Sequence, residues 1–292
     1  QLKKANSTLT NAFLITLFLG AAFVDLALRE KLPLGIGLTF TAVSLLLYVI
    51  KSTRNLNEQW TYTRVIAESI KSEWYKYIVG GGDYPCNDEV GEEYYKELFE
   101  KNIQEKISEY RDNILEVGGS PVEFTLEIDA NTTAQRKKLF AERLEVYKTR
   151  RIEDQLSWYE KKSLIMKNKE KRYRWGFALT VTAGLLVGVV KLFDWSSLSF
   201  INDSDWFSIA VALGFMLESM NSVFQHERLS ITYKKSANDL RESLNKINDS
   251  DNDVKKDENV FVEFVEDVEN RISNEHKSWS LTTNSKNLPN FK

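Results

Sequence analysis

Two apolar stretches near the start of the chain decide its fold class: AFLITLFLGAAFVDLAL at residues 12–28 and LGIGLTFTAVSLLLYVI at residues 34–50. Each stretch has 17 residues, and a helix of that length is about 25 Å long, at the short end of what crosses a bilayer. The charged residues between positions 12 and 50 are Asp25, Arg29, Glu30 and Lys31, which cluster where the chain must turn. The sequence therefore predicts a membrane hairpin rather than two core helices of a soluble protein.

A second pair of apolar stretches lies in the other half of the chain. Residues 175–193 read WGFALTVTAGLLVGVVKLF, and residues 206–224 read WFSIAVALGFMLESMNSVF. The fourth stretch is the weakest of the set, because Glu218 and Asn221 interrupt it. We predict that this pair forms a second hairpin, which gives four transmembrane helices in all.

Overall composition excludes several classes of protein. The chain has 292 residues, with 39 Lys and Arg against 42 Asp and Glu, so the net charge is −3. That balance provides no excess of positive charge for a phosphate backbone, and we expect no direct nucleic-acid binding. One cysteine and two histidines exclude an intrachain disulfide and leave almost nothing for a zinc site.

Basic residues beside the apolar stretches predict their orientation. The segment KKSLIMKNKEKRYR, which precedes the third stretch, is dense in Lys and Arg, whereas the loop after Lys191 carries three Asp and neither Lys nor Arg. We therefore predict a multi-pass membrane protein with both hairpin turns outside and both termini in the cytoplasm. Trp175, Trp195 and Trp206 occupy positions typical of interfacial anchors.

The remaining parts of the sequence predict long helices with few breaks. Apolar side chains recur at steps of three and four in residues 52–79, 89–117, 133–174, 225–247 and 260–279. Residues 122–128 alternate between apolar and polar side chains, and we predict an extended connector there. The predicted fold class is all-α: an integral membrane protein with four transmembrane helices in two hairpins and long cytoplasmic helices.

The sequence predicts the same architecture twice along the chain. Residues 1–128 form the first predicted unit, a hairpin followed by cytoplasmic helices, and residues 129–292 form the second, with a long lead-in helix, a hairpin and a C-terminal amphipathic helix. The first unit lacks a comparable lead-in helix. We attribute this either to a start upstream of Gln1 or to degeneration of that unit.

Polar residues on the fourth apolar stretch suggest a path for ions. Glu218, Asn221, Ser222 and Gln225 are spaced i, i+3, i+4 and i+7, which on one helix forms a single stripe. A carboxylate facing lipid at the helix centre costs about 2.5 to 3.5 kcal/mol, so it should face protein or water. The stripe is either a pore lining, where Glu218 favours cations, or an interfacial site at which Glu218 pairs with a basic residue.

Small residues on two other stretches indicate close helix packing. They recur at steps of three or four residues, which lets membrane helices approach closely within the chain or between subunits. These residues are Gly37, Thr41 and Ser44 on the second stretch and Gly176, Thr180, Gly184 and Gly188 on the third.

Three groups of residues resemble the SLATT domains, a family of paired membrane helices with a helical cytoplasmic extension. The first group lies between Trp60 and Tyr84 and includes Arg64, Ala67, Glu68, Trp74 and the glycines 80–82. The second resembles the sequence that enters the family's hairpin: Arg143, Tyr147, Arg151, Ile152, Asp154, Gln155, Trp158, Tyr159 and Lys162. The third is similar to its closing segment: Val265, Glu266, Glu269, Glu275, His276 and Trp279.

The resemblance implies a pore-forming or membrane-disrupting effector of a bacterial anti-phage system, controlled by a sensor protein or a nucleotide second messenger. We expect membrane lipids and further copies of the chain as partners. The alternative is a membrane scaffold that recruits a separate effector or sensor. We expect neither an enzyme nor a cofactor: Gly80 to Gly82 lack the Gly-Lys-Ser/Thr of a phosphate loop, and Cys86 has no histidine nearby in sequence.

Overall fold

The computed structural model describes residues 2–28, 33–54, 56–86, 91–116, 118, 128, 130–192, 206–249 and 251–283. Within these ranges the fold is helical and contains no strand, and four helices are long and apolar enough to span a bilayer. The prediction of an all-α membrane protein is therefore confirmed.

Ten α-helices and two short helical segments of other types make up the described chain. The α-helices are α1 Leu2–Leu28, α2 Leu34–Arg54, α3 Leu56–Val79, α4 Glu92–Glu116, α5 Ala130–Arg136, α6 Phe140–Tyr147, α7 Asp154–Leu192, α8 Trp206–Phe224, α9 His226–Asn248 and α10 Glu258–Thr283. A π-helical segment, Lys148–Glu153, joins α6 to α7, and a 3₁₀ turn, Asp253–Lys255, precedes α10. The structure divides into two compact units, which share α7 and α9.

The membrane unit consists of residues 1–56 and 164–230. In it α1 packs along α2, with ring contacts between Phe13 and Tyr48 and between Phe23 and Phe40, and α1 also contacts α8. At most 11% of the residues in each of the four apolar windows are buried within the chain. Because so much apolar surface faces outward, the helices need lipid around them rather than water.

The polar unit consists of residues 57–163 and 231–292. Its core is built from one apolar face of each helix, with side chains at steps of three and four residues. On α4 the buried face is Tyr95, Phe99, Ile103, Ile107, Tyr110 and Ile114, and on α10 it is Phe261, Phe264, Val265, Val268 and Ile272. The Tyr77 ring of α3 stacks on Phe99 with the ring centroids 4.6 Å apart.

The predicted helix over residues 133–174 is interrupted, and this part of the prediction is wrong. The backbone leaves the helix between α5 and α6, where Leu139 has φ −58° and ψ 148°. Two arginines explain the break, since Arg136 and Arg143 bind backbone carbonyls of a distant turn and Arg143 Nε also donates to the Lys138 carbonyl. From Phe140 onward the chain stays helical for 53 residues, to Leu192.

A second break separates the fourth span from the helix that follows it. Gln225 lies between α8 and α9 with φ 48°, a left-handed conformation that is uncommon for any residue other than glycine. The next residue, His226, is buried and stacks on Tyr173 and on Phe224, with ring centroids 5.4 Å and 5.6 Å apart. The predicted helix over residues 225–247 therefore begins one residue later than expected.

Some predictions concern residues that the structure does not describe. The connector at residues 122–128 falls outside the described ranges except for Ile128, and the turns at 29–32 and 193–205 fall outside them entirely. The division at residues 128 and 129 also stays a prediction, because each compact unit of the structure combines residues from both halves of the chain.

Candidate functional site

The exposed face of α8 carries two of the four predicted pore-lining residues. Glu218 and Ser222 are exposed on it. Ser219 is also exposed there, but the spacing of the predicted stripe does not include it. Within the described chain, the Glu218 carboxylate has no ion pair or hydrogen bond. Its charge therefore points away from the helix bundle of a single copy.

The other two predicted lining residues lie elsewhere. Asn221 is rotated toward the bundle, and its Oδ1 atom is buried with no hydrogen-bond partner among the described residues. Gln225 is exposed at the break after α8, so it does not continue the helical stripe. The structure thus brings Glu218 and Ser222 together on one face and separates Asn221 and Gln225 from them.

The small residues of the third span lie against α8 within the same chain. A Cβ placed on Gly176 would lie 3.2 Å from Leu217 Cδ1, one on Gly184 would lie 3.4 Å from Ala210 Cβ, and one on Gly188 would lie 3.6 Å from the Phe207 ring. Thr180 faces Gly214, where a Cβ would lie 3.1 Å from the Thr180 hydroxyl. These distances leave the two helices in close contact along one side.

The second span packs even more closely on the first. A Cβ on Gly37 would approach the Val24 amide nitrogen to 2.6 Å, and one on Gly20 would approach the Thr41 hydroxyl to 2.7 Å. Ser44 is fully buried, and its hydroxyl has no hydrogen-bond partner in the part of the chain that is described. These predicted packing residues therefore lie at contacts inside one copy.

A buried ion pair lies at the centre of the polar unit. Arg151 donates from Nε and Nη2 to the two oxygens of Glu269, at 2.8 Å and 2.6 Å, and both side chains are fully buried. The Tyr147 hydroxyl donates to the same carboxylate at 3.0 Å, and the guanidinium lies 5.0 Å from the centre of the Tyr75 ring. Burial, together with the Glu269 charge, raises the pKa of Tyr147 well above its usual range, so its hydroxyl stays protonated and donates.

The π-helical segment contains this arginine. Lys148–Glu153 carries Arg151, and the Tyr75 hydroxyl donates to the Arg150 carbonyl at 2.9 Å. A π-turn inserts an extra residue into an α-helix and is frequently found at functional sites. The segment ends 22 residues before residue 175, where the third span begins. It lies near the start of the helical stretch that runs from Phe140 to Leu192.

Two other arginines hold the glycine turn that follows α3. Gly80 and Gly82 have positive φ angles of 76° and 56°, and Gly81 lies against Val265 on α10. Arg136 donates to the carbonyls of Tyr77 and Tyr84, and Arg143 donates to the Val79 carbonyl and pairs with Glu258. Backbone carbonyls and a carboxylate accept hydrogen bonds from the two guanidiniums. We therefore assign this turn a structural role.

A network of charged and polar groups surrounds Glu73, on the last turns of α3. Glu73 lies 3.7 Å from Lys76 Nζ and 3.1 Å from Lys106 Nζ, and it accepts a hydrogen bond from the Tyr84 hydroxyl at 2.9 Å. Lys76 also pairs with Glu266, a predicted motif residue, at 2.5 Å. Burial and the Glu73 charge raise the pKa of the Tyr84 hydroxyl far above its usual value.

Two other motif residues, Arg64 and Trp158, lie close together in the polar unit. The Arg64 guanidinium lies 5.5 Å from the centre of the Trp60 ring and 5.3 Å from that of Trp158, and Trp158 makes an edge contact with Tyr233 of α9. The remaining members differ in burial: Tyr159 and Gln155 are buried, Glu68 is half-buried, and Asp154 and Trp74 are exposed. Glu275 and Trp279 lie on α10, with side chains outside the described part of the structure.

The described residues contain no cluster of His, Cys, Asp or Glu that could hold a metal ion. Burial raises the pKa of the Cys86 thiol, although the charges of Arg136 and Arg143 oppose that shift. A raised pKa leaves less thiolate, which is the reactive form of cysteine.

Two families match separate parts of the chain. The family described as "SMODS and SLOG-associating 2TM effector domain 1" matches residues 147–279, and "Protein of unknown function (DUF4231)" matches residues 2–90. No curated protein and no solved structure matches the chain. The first match runs from Tyr147 to Trp279, so it contains the third and fourth spans and both partners of the Arg151–Glu269 pair. The second match fits two units in tandem, and residues 147–279 match a SLATT two-transmembrane-helix effector domain, a type of domain found in bacterial conflict systems.

Proposed function

We propose that this protein is an oligomeric pore-forming or membrane-disrupting effector of a bacterial anti-phage system. It lies in the inner membrane with both termini and the polar unit in the cytoplasm, and it acts without catalytic chemistry. When the system is triggered, several copies open a path for cations that harms the host cell. A sensor protein or a nucleotide second messenger provides the trigger.

The Glu218 carboxylate, which is exposed and has no partner among the described residues, carries the proposal. Glu218 lies six residues before the end of α8, which places it about 9 Å from that end. At the membrane centre a charge facing lipid costs about 2.5 to 3.5 kcal/mol, and even part of that cost favours an arrangement that gives the carboxylate water or polar neighbours. A ring of α8 helices from several copies provides such an arrangement.

The neighbours of Glu218 suit a path for cations. Ser219 and Ser222 are exposed beside it and add two hydroxyl groups to the same face. Rings of carboxylates favour cations in channels, because the fixed charge attracts counter-ions to the constriction. Phe215, which is 67% exposed on the same face, provides apolar surface for contact between copies.

The helix that continues from Phe140 to Leu192 is the proposed gating element. Its π-helical segment holds Arg151 against Glu269, so a ligand or partner that shifts α10 also shifts the start of this helix. A helix transmits such a shift along its axis, and the apolar residues that follow residue 175 then move with it. Conversion of the π-helical segment into regular α-helix is one such discrete change.

A membrane scaffold remains the second candidate function. Under that hypothesis the polar unit recruits a separate effector or sensor. The exposed rings of Trp74 and Tyr94 belong to the surface that binds this partner. Glu218 would then contact a neighbouring helix of a stable assembly without lining an open path.

Overproduction in bacteria distinguishes the two candidates. We expect cells that produce the wild-type chain to depolarise and admit propidium, and the Glu218→Gln variant to do so much more slowly. Glu227→Gln, which removes an exposed carboxylate from α9, is the matched control and should behave as wild type. Harmless production of the wild-type chain, together with stoichiometric co-purification of one partner protein, would support the scaffold instead.

Liposomes test the ion preference directly. With purified wild-type protein and a potassium chloride gradient, the reversal potential should indicate selectivity for potassium over chloride. Glu218→Gln should move that potential toward zero, because the fixed charge is gone.

A further inference from the structure

A row of cations lies along the exposed side of α7 just before its apolar part. Lys167, Lys171 and Arg174 are spaced i, i+4 and i+7, which places them on one side of the helix over about 11 Å. All three are exposed. They belong to the membrane unit, as does the apolar part of the same helix.

The side of this helix that is used for packing lies about 100° around the helix axis from the row, because each packing residue directly precedes a cation of the row. Met166 is 8% exposed, the Glu170 side chain is 13% exposed, and Tyr173 stacks on His226. Packing on that side fixes the rotation of the helix and leaves the row of cations exposed. Arg174 donates from Nη1 to Glu170 at 3.1 Å, and because its side chain is 71% exposed, other donors of the guanidinium remain accessible.

Charge in this segment is almost all positive. Residues 161–174 contain seven Lys and Arg and a single carboxylate, Glu170. The chain as a whole carries a net charge of −3, so the positive charge is local. A phosphate group is the anion that such a row of lysines and an arginine attracts.

Apolar and aromatic groups follow the row immediately. Trp175 is 61% exposed, and one turn further Leu179 is 67% exposed. An indole ring at the start of a transmembrane helix prefers the level of the headgroups and glycerol, and Leu179 prefers the acyl chains. The surface therefore offers, in order, contacts for a phosphate, a glycerol backbone and an acyl chain.

We propose that Lys167, Lys171, Arg174 and Trp175 form a binding site for an anionic phospholipid, in which the cations hold the headgroup phosphate and Trp175 contacts the glycerol region. Free phosphate esters and nucleic acids share the anionic group but lack the acyl chain that Trp175 and Leu179 contact. The site fixes the depth of the third span in the bilayer, and it does not depend on the pore lining at Glu218.

Native mass spectrometry of the detergent-purified full chain tests the site. The protein is offered equal amounts of phosphatidylglycerol and phosphatidylcholine, and the ratio of the two bound lipids is measured. We expect wild-type protein to retain mainly phosphatidylglycerol. Each cation near a membrane surface contributes about fivefold in affinity, so K167Q/K171Q/R174Q should reduce the ratio at least fivefold.

Two further variants keep the test specific. K101Q/K137Q/K138Q removes three exposed cations from the polar unit and should retain the wild-type ratio. E170Q removes the single carboxylate beside the row and should raise the ratio. Circular dichroism and gel filtration check that each variant keeps its helix content and its elution volume.

Three outcomes would overturn the proposal. The first is an unchanged ratio in K167Q/K171Q/R174Q, and the second is an equal loss in K101Q/K137Q/K138Q, which would mean that only bulk charge matters. The third is displacement of bound phosphatidylglycerol by millimolar glycerol 3-phosphate, which would assign the site to free phosphate esters.

Discussion

The guanidinium of Arg151 and the carboxylate of Glu269 form a two-armed ion pair, with distances of 2.8 Å and 2.6 Å, between residues that are 118 positions apart in sequence. Neither side chain is exposed to solvent, and Tyr147 completes the hydrogen bonding of the carboxylate. The pair joins α10 to the π-helical segment at the start of the long helix. It is therefore the contact through which we expect a change at α10 to reach the membrane.

Removing one partner of this pair should be costly. Glu269→Leu leaves the Arg151 charge buried without compensation, and we expect the free energy of unfolding to fall by about 3 to 5 kcal/mol. Denaturant unfolding of the detergent-solubilised chain, monitored by tryptophan fluorescence, measures this loss. The double variant Arg151→Met/Glu269→Leu should recover most of that loss, since a buried pair replaced by apolar groups is often near neutral.

The matched control lies on the same helix. Asp267 pairs with Arg271 at 2.9 Å on the exposed side of α10, and exposed pairs of this kind contribute less than about 1 kcal/mol. Asp267→Leu should therefore change stability little. A loss in Glu269→Leu no larger than that in Asp267→Leu would contradict the assignment of a buried, coupled pair.

Close packing of α1 and α2 predicts a sharp contrast between two glycines. Gly37→Ala places a methyl group 2.6 Å from the Val24 amide nitrogen, so one helix must move, and we expect a loss of about 1 to 3 kcal/mol. Gly35, two residues earlier on α2, has no described atom within 4 Å of its hypothetical Cβ apart from its chain neighbours and its own helix backbone, so Gly35→Ala should be neutral or slightly stabilising. Thermal unfolding in detergent compares them, and equal midpoints would argue against this helix contact.

The left-handed backbone at Gln225 predicts an unusual response to glycine. Glycine adopts a positive φ without strain, so Gln225→Gly should leave stability unchanged or raise it, whereas Gln225→Val should lower it by more than about 1 kcal/mol. Lys235→Gly, in the interior of α9, should cost about 1 kcal/mol through helix propensity. Similar losses for both glycine variants would mean that α8 and α9 form one regular helix.

Much of the fold follows from local sequence patterns. The apolar runs at 12–28, 34–50, 175–193 and 206–224 predict the four spans, because length and hydropathy decide membrane insertion. Helix ends at the glycine turn after Val79 and at the polar linker before Glu258 also follow from local signals.

Features set by distant contacts do not follow from such patterns. The break at Leu139 depends on Arg136 and Arg143, whose hydrogen-bond acceptors lie at least 44 residues away, apart from the Lys138 carbonyl. Arg151 and Glu269 both stand among the residues that carry the family resemblance, but that they pair becomes evident only when the helices pack. Asn221 fits the stripe by spacing, but the rotation of α8 against α7 turns it inward.

Cysteine accessibility at position 218 tests the proposed cation path most directly. In a Cys86→Ala background reconstituted into vesicles, Glu218→Cys and Leu186→Cys are exposed to a charged, membrane-impermeant thiol reagent. Leu186 is 62% exposed on the surface of the third span and should face lipid. We predict rapid labelling at position 218 and negligible labelling at position 186, whereas equal inertness of both positions would contradict a water-filled path beside Glu218.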